Sequence, residues 1–234
     1  MFLVGGTPFS GTTLLAHLLN QGDVVCLDEP DFHDSRQRHR GIPFLSRLFP
    51  DKAFPTQPER DLTYPEAVAV IERCEELIRP STLGMKTAAW VFLEYAKIYR
   101  ASGYPVIAVV RDIRDVLAGA PLPEWVGGEP GLNRAFRSIW MNLDLCDFWI
   151  RYEDLVTKPE EVFESLSTLL ARDLEPVREW SAESVHDTMF KLDRHEMLRI
   201  GRISRTRVGI WKGSGRAFSD DTRMTAAMMG YSET

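Results

Sequence analysis

Residues 6 to 13 read Gly6-Thr7-Pro8-Phe9-Ser10-Gly11-Thr12-Thr13, two glycines with four residues between them followed by hydroxyl side chains, which is the spacing of a nucleotide phosphate loop. Thr12 stands where such a loop carries the lysine that grips the β and γ phosphates of a triphosphate. Backbone N–H groups and the N-terminus of the helix beginning near Gly11 can still cradle one anion. The pattern therefore points to a phosphate-bearing donor other than an ordinary triphosphate.

Other reactive side chains fall at the ends of apolar runs, where an open α/β sheet places its ligand crevice. Asp28 and Glu29 follow Val24 to Leu27, Lys86 follows Leu83-Gly84-Met85, Arg111 follows Val106 to Val110, and Arg151 and Tyr152 follow Ile150. A triphosphate hydrolase often ends such an apolar strand on a magnesium-binding aspartate. Here the strand ends on Arg111, whose guanidinium can fork directly onto phosphate without a metal.

The elements that must hold these residues are legible from periodicity. Phe2 to Gly6 reads as a buried strand, and Thr12 to Asn20 as the helix after it, with Leu14, Leu15, Leu18 and Leu19 on its apolar side. Thr63-Tyr64-Pro65-Glu66 is a capping box with proline near the first helical position. It opens a helix with Val68, Ile71, Cys74, Leu77 and Ile78 on one side. Further helices are expected over 90–101, 112–119, 132–146 and from Lys158-Pro159-Glu160 onward, with strands at 105–110 and 148–151. The alternation predicts an α/β class: one domain, residues 1–234, with a P-loop-like parallel sheet covered by helices on both faces. Two stretches depart from it. Residues 31–61, with Arg36, Arg38, His39 and Arg40, are too long for an ordinary connection and form a candidate acceptor-binding lid. Residues 203–218 are rich in glycine and cations and form a candidate segment closing over the nucleotide.

Composition narrows the class. With 234 residues and 44% hydrophobic content the chain can bury a substantial core. Its net charge of −6 argues against non-specific nucleic-acid binding, although Asp193 to Arg216 holds seven Arg or Lys against two acids. The absence of a long apolar run or a signal-peptide pattern argues for a soluble, cytoplasmic protein without a membrane partner. Cys26, Cys74 and Cys146 are scattered and odd in number, as reduced structural thiols are. His17, among leucines, reads as a helix-face residue, and Trp140 and Trp149 as core.

Taken together, these motifs resemble the sulfotransferases that use 3′-phosphoadenosine-5′-phosphosulfate (PAPS). Pro8-Phe9-Ser10-Gly11-Thr12-Thr13 resembles the family's 5′-phosphosulfate loop, and Val110-Arg111-Asp112-Ile113-Arg114-Asp115-Val116-Leu117 its 3′-phosphate motif. Ile150 to Leu155 with Pro159, Gly209-Ile210-Trp211-Lys212, and Met228-Met229-Gly230-Tyr231 are similar to later segments in the same order. The resemblance implies that Ser10, Gly11, Thr12, Thr13 and Leu14 surround the 5′-phosphosulfate. Arg111 would contact the 3′-phosphate with help from Arg114, Lys212 and Arg216, and Tyr152 would lie against the adenine. Val24 to Glu29 resembles the tyrosylprotein sulfotransferase branch, which makes Glu29 the catalytic base and Lys86 a catalytic lysine. His33 is a rival base. In two places the chain departs from the family: Phe9 replaces a basic residue, and Gly119 stands where a serine commonly assists on the 3′-phosphate.

The implied reaction moves a sulfuryl group from PAPS, as co-substrate, to an acceptor hydroxyl. Glu29 accepts the proton and Lys86 stabilises the leaving phosphate, with no metal expected. The acceptor would be a small molecule or carbohydrate, or a peptide tyrosine. The rival readings are a diverged P-loop kinase and a non-catalytic nucleotide-binding module.

Overall fold

The computed structural model describes residues 1–30, 32–37, 41–56, 58–119, 121–180 and 201–232. Asp31, Arg38, His39 and Arg40 of the expected lid and residues 193–200 of the basic stretch lie outside them. Five parallel strands, β1 (Phe2–Gly6), β2 (Val24–Asp28), β3 (Thr82–Lys86), β4 (Val106–Val110) and β5 (Phe148–Arg151), form one sheet in the order β2-β3-β1-β4-β5.

Side chains that alternate along each strand feed two separate cores. Phe2, Val4, Ile107 and Val109 point to one face, which is covered by α1 (Thr12–Leu18), α7 (Tyr152–Thr157) and α8 (Pro159–Leu170). Leu3, Leu27, Leu83, Val106 and Ala108 point to the other, covered by α3 (Tyr64–Ile78) and α4 (Ala89–Ala101). A third cluster gathers Val110, Ile113 and Leu117 of α5 (Ile113–Gly119), Leu132 and Phe136 of α6 (Gly128–Trp140), and Ala226 of the C-terminal helix Asp220–Met228. The α/β reading, the parallel sheet and helices on both faces are as the sequence predicts.

The capping box opens α3 as expected: the Thr63 hydroxyl accepts from the Glu66 amide, and the Glu66 carboxylate accepts from the Thr63 amide at 2.8 Å. Cys26 and Cys74 are buried, and all three cysteines are free thiols.

Four local expectations differ from the structure. The helix expected over 132–146 begins at Gly128 and ends at Trp140, because Gly127 in a left-handed conformation (φ 72°) starts it and the chain tightens into a 3₁₀ turn over Leu143–Leu145. The expected lid contains a helix, α2 (Gly41–Leu48), whose Phe44 and Leu45 join Phe32 in the core beside α3. Its short amphipathic face lay hidden between prolines. Helix α7 follows β5 directly, with Tyr152 and Leu155 turned inward. Trp149 sits outside the core, 41% exposed and edge-on to Trp140 at 5.6 Å, because β5 is an edge strand. Among the described residues no helix is long and apolar enough to cross a membrane.

Candidate active site

Strand order decides which strand ends become neighbours. β1 is central, so the loop after it lies between the ends of β3 and β4, with β2 and β5 outside them. The carboxyl edge of the sheet therefore presents Asp28 and Glu29, then Lys86, the glycine loop, Arg111, and finally Arg151 and Tyr152.

The loop needs its glycines. Gly6 has φ 144°, and a Cβ there would stand 1.9 Å from the Val109 carbonyl oxygen; Gly11 has φ 92°, and a Cβ there would meet the Tyr152 ring at 2.6 Å. Only glycine can bring the backbone this close to β4 and α7. Phe9 has φ 59° without that freedom, a conformation that costs an L-residue about 1–2 kcal/mol. Gly11 starts α1 with no side-chain cap, so the first-turn amides lack the partner that a capping oxygen supplies.

On one side of the loop, Lys86 lies 4% exposed between two carboxylates, its Nζ 3.1 Å from Asp28 Oδ1 and 2.7 Å from Glu29 Oε1. Register dictates the first contact, since Asp28 and Lys86 are paired positions of β2 and β3. The second depends on Glu29, whose amide bonds the Lys86 carbonyl at 2.8 Å while its backbone turns left-handed at φ 46°. Burial alone would lower the Lys86 pKa. The charges of Asp28 and Glu29 and their hydrogen bonds override it and hold the ammonium above the ordinary lysine range. Thr13 turns its hydroxyl toward Asp28 Oδ1 at 3.4 Å, which ties the start of α1 to the same cluster.

Across the loop, Arg111 is 6% exposed. Its Nη2 donates to the Arg207 carbonyl at 2.6 Å and its Nη1 approaches the Phe9 carbonyl at 3.5 Å, while its guanidinium lies 4.3 Å over the Tyr152 ring. Several polar atoms at this edge are buried with no hydrogen-bond partner among the described residues: Thr7 Oγ1, Ser10 Oγ, Thr87 Oγ1, Arg111 Nε and Tyr152 Oη. Buried polar groups are rarely left so. Four hydroxyls and a guanidinium N–H around one glycine loop are what an anionic ligand would satisfy.

The expected closing segment runs along α5. Asp115 accepts the Gly209 amide at 2.7 Å and the Trp211 amide at 3.2 Å, and Arg114 stacks 3.9 Å from the Trp211 ring. Burial raises the Asp115 pKa, against the pull of those two amides.

Arg114 forks onto Asp112, with Nη2 2.7 Å from Oδ2, and reaches the Ser232 carbonyl; an acid two residues upstream in the same turn is its nearer partner. Arg216 donates to the Leu117 carbonyl at 2.5 Å, and Lys212 is exposed beside Trp211. Tyr152, expected against the adenine, lies buried beneath Gly11 and against Arg111. Leu14 is buried in the core. His33 Nδ1 lies 3.0 Å from the Tyr95 hydroxyl, and burial, opposed by Asp34 and Asp61, lowers its pKa.

Sequence reading missed the Asp28 to Lys86 pairing and the anchoring role of Asp115. The first follows from strand register, which the sequence leaves open. The second left no signal beyond an acid near the start of the expected helix 112–119.

No protein-family model matches the sequence, and no curated protein matches it. In structure the chain is similar to the sulfotransferase domain from the curacin biosynthetic pathway, with a TM-score of 0.63, 16% identity, and 99% of this chain and 98% of that chain covered. It is similar also to the sulfotransferase domain from the Synechococcus PCC 7002 olefin synthase, with a TM-score of 0.62, 17% identity, and 100% and 95% covered. At these identities the likeness is one of fold, and the fold of this chain is that of the sulfotransferase domains.

Proposed function

We propose that the protein is a PAPS-dependent sulfotransferase that transfers a sulfuryl group to an acceptor hydroxyl. The observation that carries this reading is the buried Arg111 at the end of β4 beside a glycine loop that lacks its lysine, with Arg111 Nε and the buried Thr7 and Ser10 hydroxyls unpartnered among the described residues. A metal-dependent triphosphate site has the opposite arrangement, a lysine in the loop and an acid at that strand end. The donor supplies a sulfuryl group on a phosphate leaving group. Ser10, the loop amides and Thr12 would hold its 5′ end, and Arg111 its 3′-phosphate.

Glu29 is the base in this reading. The acceptor oxygen forms its bond to sulfur as the bond from sulfur to the phosphate oxygen breaks, and the acceptor proton passes to a Glu29 carboxylate oxygen. Lys86, at 2.7 Å from that carboxylate, brings positive charge to the side of the loop where the leaving phosphate gains negative charge. Its burial matters because an ion screened from water acts more strongly on developing charge.

The test is sulfate transfer from PAPS to a panel of hydroxyl acceptors, alongside binding of adenosine 3′,5′-bisphosphate. Glu29→Gln is expected to lower kcat by about 10²- to 10⁴-fold with bisphosphate binding retained. Bisphosphate binding with no transfer to any acceptor, unchanged by Glu29→Gln, would favour the non-catalytic module. Preference for ATP with magnesium would favour the kinase.

A further inference from the structure

Three aromatic rings line the same sheet edge and have no part in the donor site. Phe9 lies at the tip of the glycine loop after β1, Trp90 in the first turn of α4 after β3, and Trp125 in the 3₁₀ turn Glu124–Val126 between α5 and α6. Phe9 meets Trp125 with ring centroids 5.9 Å apart and planes tilted by 30°, and Trp125 meets Trp90 edge-on at 4.8 Å. They are nonetheless 44%, 58% and 64% exposed. Single exposed aromatics are ordinary; a contiguous run of three over a candidate active site marks a binding surface. The strands before them, β3, β1 and β4, are the three central neighbours of the sheet, so the rings stand over the edge that carries Lys86, the loop and Arg111. The strained φ of 59° at Phe9 occurs on the residue that joins the loop to this surface, and such strain collects at functional positions.

We infer that the Phe9, Trp90 and Trp125 surface binds the acceptor, and that the acceptor is a phenol, an aryl hydroxyl on a flat uncharged ring system. The inference rests on the sulfotransferase reading. At this surface charge points away from anionic acceptors: Phe9 stands where the resembled family carries a basic residue, and the residue before Trp125 is the exposed acid Glu124. Edge and face contacts between rings favour an aromatic ligand beyond simple area burial. The chemistry of a carboxylate base points the same way: it suits a phenol of pKa about 10 better than an aliphatic hydroxyl nearly as weakly acidic as water, about 15.7. In the transfer the aryl oxygen forms the bond to sulfur, the sulfur to phosphate-oxygen bond of PAPS breaks, and the phenolic proton goes to Glu29.

The experiment titrates the protein calorimetrically with adenosine 3′,5′-bisphosphate, then titrates the bisphosphate complex with 2-naphthol, 2-decalol and methyl glucoside. In parallel it measures transfer from PAPS to the same three acceptors. The expected result is binding of 2-naphthol at least tenfold tighter than of 2-decalol, with the same order in kcat/KM. Trp125→Ala and Trp90→Ala should each weaken 2-naphthol by about tenfold and leave bisphosphate binding within twofold. If one variant fails to fold, the other carries the comparison. Equal or better use of 2-decalol or methyl glucoside, or 2-naphthol binding unmoved by both variants, overturns the phenol assignment and leaves the sulfotransferase reading in place. Absence of bisphosphate binding overturns both.

Discussion

Lys86→Met tests whether the cluster beside the loop is built as described. Methionine nearly fills the lysine volume, so packing is largely preserved and the change is electrostatic. What remains is Asp28, 2% exposed, and Glu29, both of which had contacted one nitrogen. Removing one partner of a buried ion pair costs about 3–5 kcal/mol, because the charge left behind is desolvated and unpaired. For a chain of this length, at about 2–4 °C per kcal/mol, melting should fall by roughly 6–20 °C. The pH dependence has a definite sign. In the wild type the Lys86 pKa is raised, so its stabilisation is complete below the unfolded lysine value of about 10.4 and is lost only as pH rises through the folded value. It is therefore constant between pH 5 and 8. In the variant Asp28 is left buried without its lysine, and the folded protein takes up a proton that the unfolded chain binds less tightly. The deficit should accordingly shrink as pH falls from 8 to 5. Urea unfolding followed by tryptophan fluorescence at several pH values measures it. Lys86→Met with Asp28→Asn should recover part of the loss. A deficit below about 1 kcal/mol, equal at pH 5 and pH 8, would mean that Lys86 is solvated and the cluster does not exist.

Three further outcomes follow from individual contacts. His17 is held by burial at a pKa of about 4, edge-on to Trp180 at 4.9 Å, with Nδ1 unpartnered among the described residues. The wild type should lose stability as pH falls from the unfolded value of about 6.5 toward 4, by up to roughly 3 kcal/mol, and His17→Leu should abolish that slope in urea titrations. Gly119→Ser should tighten bisphosphate binding by about three- to tenfold in calorimetry, since a Cβ there meets only Ile210 Cδ1 at an ordinary 3.4 Å. Asp115→Ala should release the Gly209 and Trp211 amides and weaken the bisphosphate by about tenfold or more, read as Kd, with the main thermal transition little moved.

The strands were legible because each is a short apolar run ended by glycine or charge, and the list of strand-end residues from Asp28 to Tyr152 was complete. Which of them meet was not legible from periodicity. Lys86 bonds Asp28 because β3 lies between β2 and β1, and that order is set by packing on both faces of the sheet. Helix α2 stayed hidden because Pro43 and its flanking loops mask an eight-residue pattern, and Phe44 and Leu45 become core residues by joining Phe32 and the residues of α3. The cations near Arg111 were the least predictable. Arg114, Lys212 and Arg216 read alike as phosphate ligands in a sequence, yet Arg114 has Asp112 within its own turn and Arg216 finds a carbonyl of α5. Trp125 gave no signal of its own, since its neighbours Phe9 and Trp90 are remote in the chain and converge only at the sheet edge.

In the proposed function the glycine loop and Arg111 form a site for the two phosphate ends of PAPS. A thermal-shift comparison of adenosine 3′,5′-bisphosphate with ATP and magnesium, in the wild type and in Arg111→Gln, tests it directly. The bisphosphate should stabilise the wild type clearly and ATP with magnesium less, and Arg111→Gln should lose most of the bisphosphate effect. No shift with the bisphosphate at millimolar concentration, or a larger shift with ATP and magnesium, would contradict it.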